Sequence, residues 1–307
     1  MVAIVVLYHP DPRALLPAAQ AWLDQVDLLL CVDNGGGGEV RERLESLAPD
    51  RVSFLEMGFN AGVGAAHNRG IDEARRLGAT HMLLGDQDSV PGPDMVAALL
   101  DAERRALAAG QRVAAVGPRY VDVDSGRHSY FVRCGPVSFR RIRCTCENDW
   151  VVADFLISSG ALIRTEALQA VGPMDEGLFI DLVDTEWFLR AKSKGWVAIG
   201  ACGAWMAHHL GEETLVIHLP RTRTLPVHKP FRYYYMFRNS VLLYRRQYAP
   251  WSWIVPDLAR LAQLVVFFGF IHRARSRNLR MMVQGVRDGL RGASGSRPVD
   301  MDQVSGR

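Results

Sequence analysis

Between residues 2 and 85, short apolar runs alternate with helical stretches, and that alternation leaves the chain few architectures to choose from. Residues 2–7, 27–32, 52–56 and 80–85 have strand length and are rich in Val, Leu and Ile, whereas 12–25, 39–48 and 64–77 carry the spacing of amphipathic helices. Strands separated by helices of that length pair in parallel, because the crossover returns the chain to the same end of the sheet. The expectation is an α/β fold whose ligand sits beyond the carboxyl ends of the strands, near the switch in strand order.

Tyr8, Asp33, Asn34, Asn60 and Asp86 all fall at those ends. The fourth strand closes in Asp86-Gln87-Asp88. Side chains alternate along a strand, so Asp86 and Asp88 point the same way, and two hard oxygen ligands suit a divalent cation carrying a diphosphate. A lone Asp-x-Asp is a weak signal, since most such triplets are solvated turns. Glycine loops at 35–38 and 58–64 let backbone approach a ligand closely, and the second opens a helix whose N-terminus favours an anion. Gly62-x-Gly64 follows the third strand and lacks the third glycine of a dinucleotide fingerprint, which argues against NAD.

A further strand is expected near Val113, and residues 121–148 have no clear period and receive no functional assignment. Residues 154–163 read as one apolar strand with Ser158-Ser159-Gly160 in its middle, followed by a helix with Thr165 as N-cap. Residues 175–190 concentrate acids. Asp181 and Glu186 fit helix-start positions, where the dipole favours acids. Asp184 sits among Phe179, Ile180, Leu182, Val183, Trp187 and Phe188, so desolvation should raise its pKa toward useful basicity. His208 and His209 follow an apolar strand and face opposite ways, so only one can join a given metal.

The 307 residues are 49% apolar and 22% charged with a net charge of only +3, a globular composition that does not argue for nucleic acid. Five cysteines with no Cys-x-x-Cys argue against zinc and against a disulfide framework, and fit a reducing cytoplasm. The N-terminus reads as a first strand, not as a signal peptide. Toward the C-terminus, Asp257, Arg260 and Gln263 hold the apolar run at 264–271 short of the roughly 20 residues a spanning helix needs. Trp251, Trp253 and the arginines at 273, 275, 277, 280, 287 and 291 favour peripheral membrane contact through 250–291, although the same segment would serve a homodimer.

Taken in order, Val5-Val6-Leu7-Tyr8, Val32-Asp33-Asn34-Gly35, Asn60-x-Gly62-Val63-Gly64-x-Ala66-x-Asn68-x-Gly70, Asp86-Gln87-Asp88-Ser89, Ser159-Gly160-Ala161-Leu162-Ile163, Gly172-Pro173-Met174-Asp175-Glu176, residues 179–187 and His228-Lys229-Pro230-x-Arg232-Tyr233-Tyr234-Tyr235-Met236-x-Arg238-Asn239 resemble the family 2 glycosyltransferases. Within that family they look most like bacterial rhamnosyltransferases of polysaccharide assembly. The resemblance implies a GT-A fold, a Rossmann-like, mainly parallel sheet with flanking helices, over residues 1–245. A nucleotide-binding half would span 1–112, an acceptor half 113–245, and a helical extension 246–307.

It further implies a nucleotide-sugar donor such as dTDP-rhamnose, a saccharide or lipid-linked acceptor, Mg²⁺ or Mn²⁺, inversion, and a place at the inner face of the bacterial cytoplasmic membrane. Tyr8, Asp33 and Asn34 match the base and ribose contacts; Asn60, Gly62 and Asn68 match the donor pocket. Asp86 and Asp88 match the metal-diphosphate motif, Asp184 the catalytic base with Glu186 as rival, and His208 the third metal ligand with His209 as rival. The chain departs from the pattern in its run of four glycines after Asn34 and in Val183, which stands where many relatives carry an acid. Two other readings stay open: a nucleotidyltransferase that makes an activated sugar, and a non-catalytic sugar-nucleotide or membrane-docking module.

Overall fold

A computed structural model describes residues 1–122, 126, 128–146, 149–208, 213–219, 221–270 and 275–297; the side chains of 122, 208, 213–219, 221–227, 270 and 275 are outside that description. The first half follows the alternation in the sequence. β1 (Val2–Leu7), α1 (Pro12–Leu23), β2 (Leu28–Asp33), α2 (Arg41–Leu47), β3 (Val52–Glu56), α3 (Val63–Arg76) and β4 (His81–Asp86) succeed one another. β1 pairs in parallel with β2 on one side and β4 on the other, so strand order switches there. Leu7 is level with Asp33, and Val6 with Asp86, which brings Tyr8, Asp33 and Asp86 to one edge of the sheet.

The second half adds β5 (Val90–Pro91), α4 (Met95–Ala108), β6 (Val113–Asp122), β7 (Phe131–Cys134), β8 (Phe139–Ile142), β9 (Trp150–Ala153), β10 (Leu162–Arg164), α5 (Thr165–Val171), α6 (Val183–Ser193), β11 (Val197–His208), β12 (Glu213–Leu219) and β13 (Arg221–Val227). The main sheet runs β3-β2-β1-β4-β10-β6-β11-β5, with β9 also on β11. Strand residues alternate between two apolar layers. Ile4, Leu30, Val32 and Leu84 pack with the α3 and α6 side, and Val5, Leu29, Cys31 and Leu83 pack with Trp22 and α4. This is the mainly parallel sheet with flanking helices that the resemblance implied.

Four expectations need correction. The apolar run at 154–163 is not one strand: β9 ends at Ala153 on β11, β10 begins at Leu162 between β4 and β6, and the chain turns at Gly160, where φ is +76°. An apolar run gives no signal of which neighbour it will pair with, and here the pairing changes partway along. Cys144 and Cys202 form a disulfide, with Cα atoms 5.6 Å apart, against the expectation that the cysteines stay reduced. Their separation of 58 residues is closed by tertiary pairing, because Cys202 N–H donates to Asp149 O at 3.0 Å. Thr165 is the first helical residue and not the cap; its hydroxyl donates to Ala79 O at 2.6 Å.

The fourth correction is C-terminal. α7 (Pro230–Tyr244), α8 (Trp251–Phe270) and α9 (Arg275–Leu290) complete the chain. Asp257 and Arg260 do not interrupt α8. They pair with each other at 2.7 Å, and Asp257 accepts the Tyr244 hydroxyl at 2.7 Å, so the charges are satisfied inside the protein. Over Trp251–Gly269, with mean hydropathy 1.2, this helix is long and apolar enough to cross a membrane. Trp253, expected at a headgroup level, is buried beside Tyr244, while Trp251 is 76% exposed. α7, placed by sequence with the sheet domain, lies along α9. Gly285 and Gly289 allow this, since a Cβ on Gly289 would come within 2.8 Å of Arg238 O and one on Gly285 would meet Tyr234 O.

Candidate active site

At the carboxyl ends of β1, β2 and β4 the loops are fastened to one another by side-chain amides. Tyr8 N–H donates to Gln87 Oε1 at 2.7 Å, and Gln87 Nε2 donates back to Tyr8 O at 3.1 Å. The middle residue of Asp86-Gln87-Asp88 therefore clamps β1 to the β4 turn and fixes the two acids on either side of it. Asp33 Oδ1 accepts from Gly35 N–H and Gly37 N–H at 2.8 and 2.9 Å, and any Cβ on Gly37 would reach 2.8 Å from the Asp33 carboxyl carbon. Thus the four-glycine loop is wrapped around Asp33.

Asn34 is buried; its amide donates to Asn60 Oδ1 at 3.0 Å and its oxygen accepts from Ala61 N–H at 2.9 Å. Asn60 Oδ1 also accepts from Gly62 N–H at 3.0 Å. Asn34 and Asn60 accordingly lock the two glycine loops together. Burial raises the pKa of the Tyr8 hydroxyl, with Asn60 and the positive charge of Lys229 opposing.

The backbone of Asp86 and the carboxylate of Asp184 are tied to the adjacent residues Ser159 and Ser158. Asp86 N–H donates to Ser159 Oγ at 3.2 Å, and Ser158 N–H donates to Asp184 Oδ2 at 3.2 Å. Adjacent residues so anchored hold the Asp184 carboxylate within about 13 Å of the Asp86 backbone, given the bond lengths of one dipeptide. Tyr120 donates its hydroxyl to Ser159 O at 2.7 Å, and its pKa is raised well above the ordinary value by burial and then by the charges of Asp86 and Asp184. Asp184, near the start of α6, accepts from Thr185 N–H at 2.6 Å; burial raises its pKa, with the hydrogen bonds from Thr185 and Ser158 opposing. Tyr120, Ser158 and Ser159 escaped the sequence reading as site residues; only the Ser-Ser-Gly inside an apolar run hinted at them.

The loop that delivers Asp184 is strained and heavily braced. Phe179, Asp181 and Leu182 adopt φ of 64°, 63° and 64°, which non-glycine residues avoid. Asn239, fully buried on α7, donates to Leu178 O, Ile180 O and Asp181 O at 2.8–2.9 Å, while Arg238 donates to Leu178 O at 2.9 Å. Arg232 pairs with Asp181 at 2.5 Å. Gly62 approaches this loop so closely that a Cβ would lie 2.6 Å from Phe179 O. Asn68 is buried and turned the same way, donating to Met174 O and Glu176 Oε1 at 3.0 and 2.7 Å. Gly62 and Asn68, matched by resemblance to the donor pocket, thus contact the acidic segment and support it. Glu186 is 1% exposed, pairs with Arg190 at 2.8 Å and accepts the Tyr248 hydroxyl. That separates it from Asp184, two residues away, which faces Ser158.

Asp86 is partly exposed and Asp88 exposed at the edge of the sheet. Among the described residues no three His, Cys, Asp or Glu side chains could together hold a metal. Two carboxylates fit Mg²⁺ or Mn²⁺ when phosphate oxygens and water complete the shell. The His208 side chain and all of His209, the rival third ligands, lie outside the described residues.

No protein-family profile matches the chain. In sequence it is similar, at 28% identity over 95% of this chain and 96% of the relative, to the dTDP-rhamnosyl transferase RfbF of Shigella flexneri. It is 24% identical, over 91% of this chain and 96% of the relative, to the N-acetylglucosaminyl-diphospho-decaprenol L-rhamnosyltransferase of Mycobacterium tuberculosis. In fold it is similar to S. aureus TarS 1–349 in complex with UDP-GlcNAc, with TM-score 0.57 and 11% identity over 99% of this chain and 83% of that one. GalNAc-T7 with UDP, GalNAc and Mn²⁺ gives TM-score 0.55 and 12% identity over 68% of this chain and 43% of that one. The chain is therefore GT-A in fold. Its full-length sequence relatives are rhamnosyltransferases.

Proposed function

We propose that this protein transfers rhamnose from a nucleotide donor, dTDP-rhamnose, to a saccharide on a lipid diphosphate during cell-surface polysaccharide synthesis. The observation that carries the proposal is the bridge of Ser158 and Ser159 between Asp86 and Asp184. By tying the Asp86 backbone to the Asp184 carboxylate it supports a diphosphate-side acid and a desolvated base at a separation that a donor sugar and an acceptor hydroxyl can span. The similarity to RfbF supports the donor, and the decaprenol-linked relative supports the acceptor class.

The chemistry is one in-line displacement with inversion. Asp184 takes the proton of the acceptor hydroxyl as that oxygen attacks the anomeric carbon, and the C–O bond to the nucleoside diphosphate breaks with its electron pair. Burial that raises the Asp184 pKa makes it a better proton acceptor than an exposed carboxylate. Tyr8 and the Asp33 loop line the nucleotide side, and Lys229 adds positive charge there. A divalent cation held by Asp86 and Asp88, with His208 or His209 as third ligand, would neutralise charge on the departing diphosphate. The chain works at the inner face of the cytoplasmic membrane, met peripherally through 250–291.

A panel of nucleotide sugars, assayed for nucleoside diphosphate release with and without acceptor and EDTA, tests this. Acceptor-dependent, EDTA-sensitive release from dTDP-rhamnose is expected. Pyrophosphate formation from a nucleoside triphosphate and a sugar phosphate would instead establish a nucleotidyltransferase. Donor binding with no turnover under any condition would establish a binding module.

A further inference from the structure

Between α8 and α9 lies an open groove of about 550 Å³, floored by Phe237 of α7 and walled by Val265, Met282, Val283 and Val286. The α9 residues at 279, 282, 283, 286 and 290 recur at helical spacing and form one apolar stripe. Such stripes normally face a core, yet here Val283 is 67% and Leu290 65% exposed. Arg287 and Arg291, one turn apart, stand at the rim of the same groove, and both are exposed. Among the described residues neither has an acidic partner; the nearby acid Asp288 accepts instead from the Tyr234 hydroxyl at 3.0 Å.

An apolar trough closed by two guanidinium groups complements a molecule with an apolar chain and a phosphate head, since arginine binds phosphate in bidentate fashion. Its volume suits a stretch of one lipid chain rather than a partner helix. The groove continues onto the exposed apolar face of α8, where Val265 and Val266 are 42% and 54% exposed, on the helix long enough to enter a bilayer. A chain could thus pass sideways from membrane to groove. Phe237 on the groove floor is next in sequence to Arg238, which holds Gly177 O and Leu178 O of the loop that delivers Asp184. One side of α7 faces the groove and the other braces the site.

We propose that the α8–α9 groove binds the isoprenoid chain of a diphosphate-linked lipid acceptor, with Arg287 and Arg291 at its head group. The proposal rests on the reading of the acceptor as lipid-linked. The groove is a docking surface for one lipid molecule and sets the KM of the acceptor without touching the reacting atoms.

The test is equilibrium binding of a fluorescent C20 prenyl diphosphate to the full chain, read by anisotropy and needing no turnover. Val283→Asp and the double charge reversal Arg287→Glu/Arg291→Glu, both at exposed positions, should each weaken binding tenfold or more while leaving thermal unfolding unchanged. The matching prenyl alcohol should bind at least tenfold more weakly than the diphosphate. In transfer assays both variants should raise KM for a prenyl-diphosphate-linked saccharide tenfold and leave kcat, and KM for the same saccharide without lipid, unaltered. Equal affinity in parent and variants would overturn the assignment. So would binding only to anionic phospholipid vesicles, or a dimer that Val283→Asp dissolves in the absence of lipid binding. If no donor is turned over while variant-sensitive prenyl binding persists, the transferase reading fails and the groove stands; turnover without variant-sensitive binding separates the two the other way.

Discussion

Two acids two residues apart, Asp184 and Glu186, should respond to amide substitution in opposite ways. Asp184→Asn removes the proton acceptor but keeps an oxygen for Thr185 N–H, forfeiting at most the 3.2 Å bond from Ser158. General-base loss predicts a fall in kcat of about 10²–10⁴, equivalent to about 3–5 kcal/mol of barrier. Stability should not fall. A carboxyl whose folded pKa is raised resists ionisation in the fold, so its charge detracts from stability above that pKa, and Asn has no charge to bury.

Glu186→Gln does the reverse. Glu186 is 1% and Arg190 17% exposed in their side chains, so the substitution strands a largely buried guanidinium, at about 3 kcal/mol. In a protein of this size that lowers Tm by about 6–12 °C, with kcat below the transition within several-fold of the parent. The assay pairs donor turnover at 20 °C with thermal unfolding of all three proteins. A hundredfold loss of kcat in Glu186→Gln at unchanged Tm, with Asp184→Asn near parental activity, would refute both assignments together.

His67 is fully buried and desolvation lowers its pKa to about 4. Between pH 6.5 and that value the unfolded chain binds a proton the fold refuses, so stability falls as pH drops, by about 3 kcal/mol in full. Urea unfolding at pH 7 and 4.5 should show this slope in the parent and a smaller one in His67→Leu; parallel slopes would count against it. Because the Asp184 pKa is raised, the acid limb of kcat/KM should lie above the ordinary carboxylate value of about 4, and a limb at or below that value would remove Asp184 as the base. Gly62→Ala puts a Cβ 2.6 Å from Phe179 O at a φ of +92°; displacement of the acidic loop should lower kcat/KM about 10²-fold, and parental kinetics would show that the loop does not position the base. Reduction of Cys144–Cys202 reopens a loop of 58 residues, worth about 4 kcal/mol in the chain-entropy account. A urea midpoint unchanged by dithiothreitol, with both thiols shown free by alkylation, would contradict it.

Much of this protein was legible before folding. The alternation of periods through residue 85 dictated parallel pairing, and parallel pairing dictated that strand ends would share an edge, so Tyr8, Asp33 and Asp86 could be named from spacing alone. Asp184 stood out because a carboxylate among aromatic neighbours is a desolvation signal carried by local sequence.

What sequence could not decide was which polar groups face inward to hold the frame. Asn34, Asn68 and Gly62 make hydrogen bonds and close contacts to other loops, up to 108 positions away in the case of Asn68 and Glu176, while Glu186 pairs with Arg190 one turn along its own helix and accepts from Tyr248. Tyr120, Ser158 and Ser159 join the site because β10 inserts antiparallel between β4 and β6. The floor of the α8–α9 groove likewise depends on how closely Gly285 and Gly289 let α9 pack on α7. Periodicity is a property of neighbours along the chain and is readable in it. The partners of a buried amide are chosen by packing between segments that have no pattern in common.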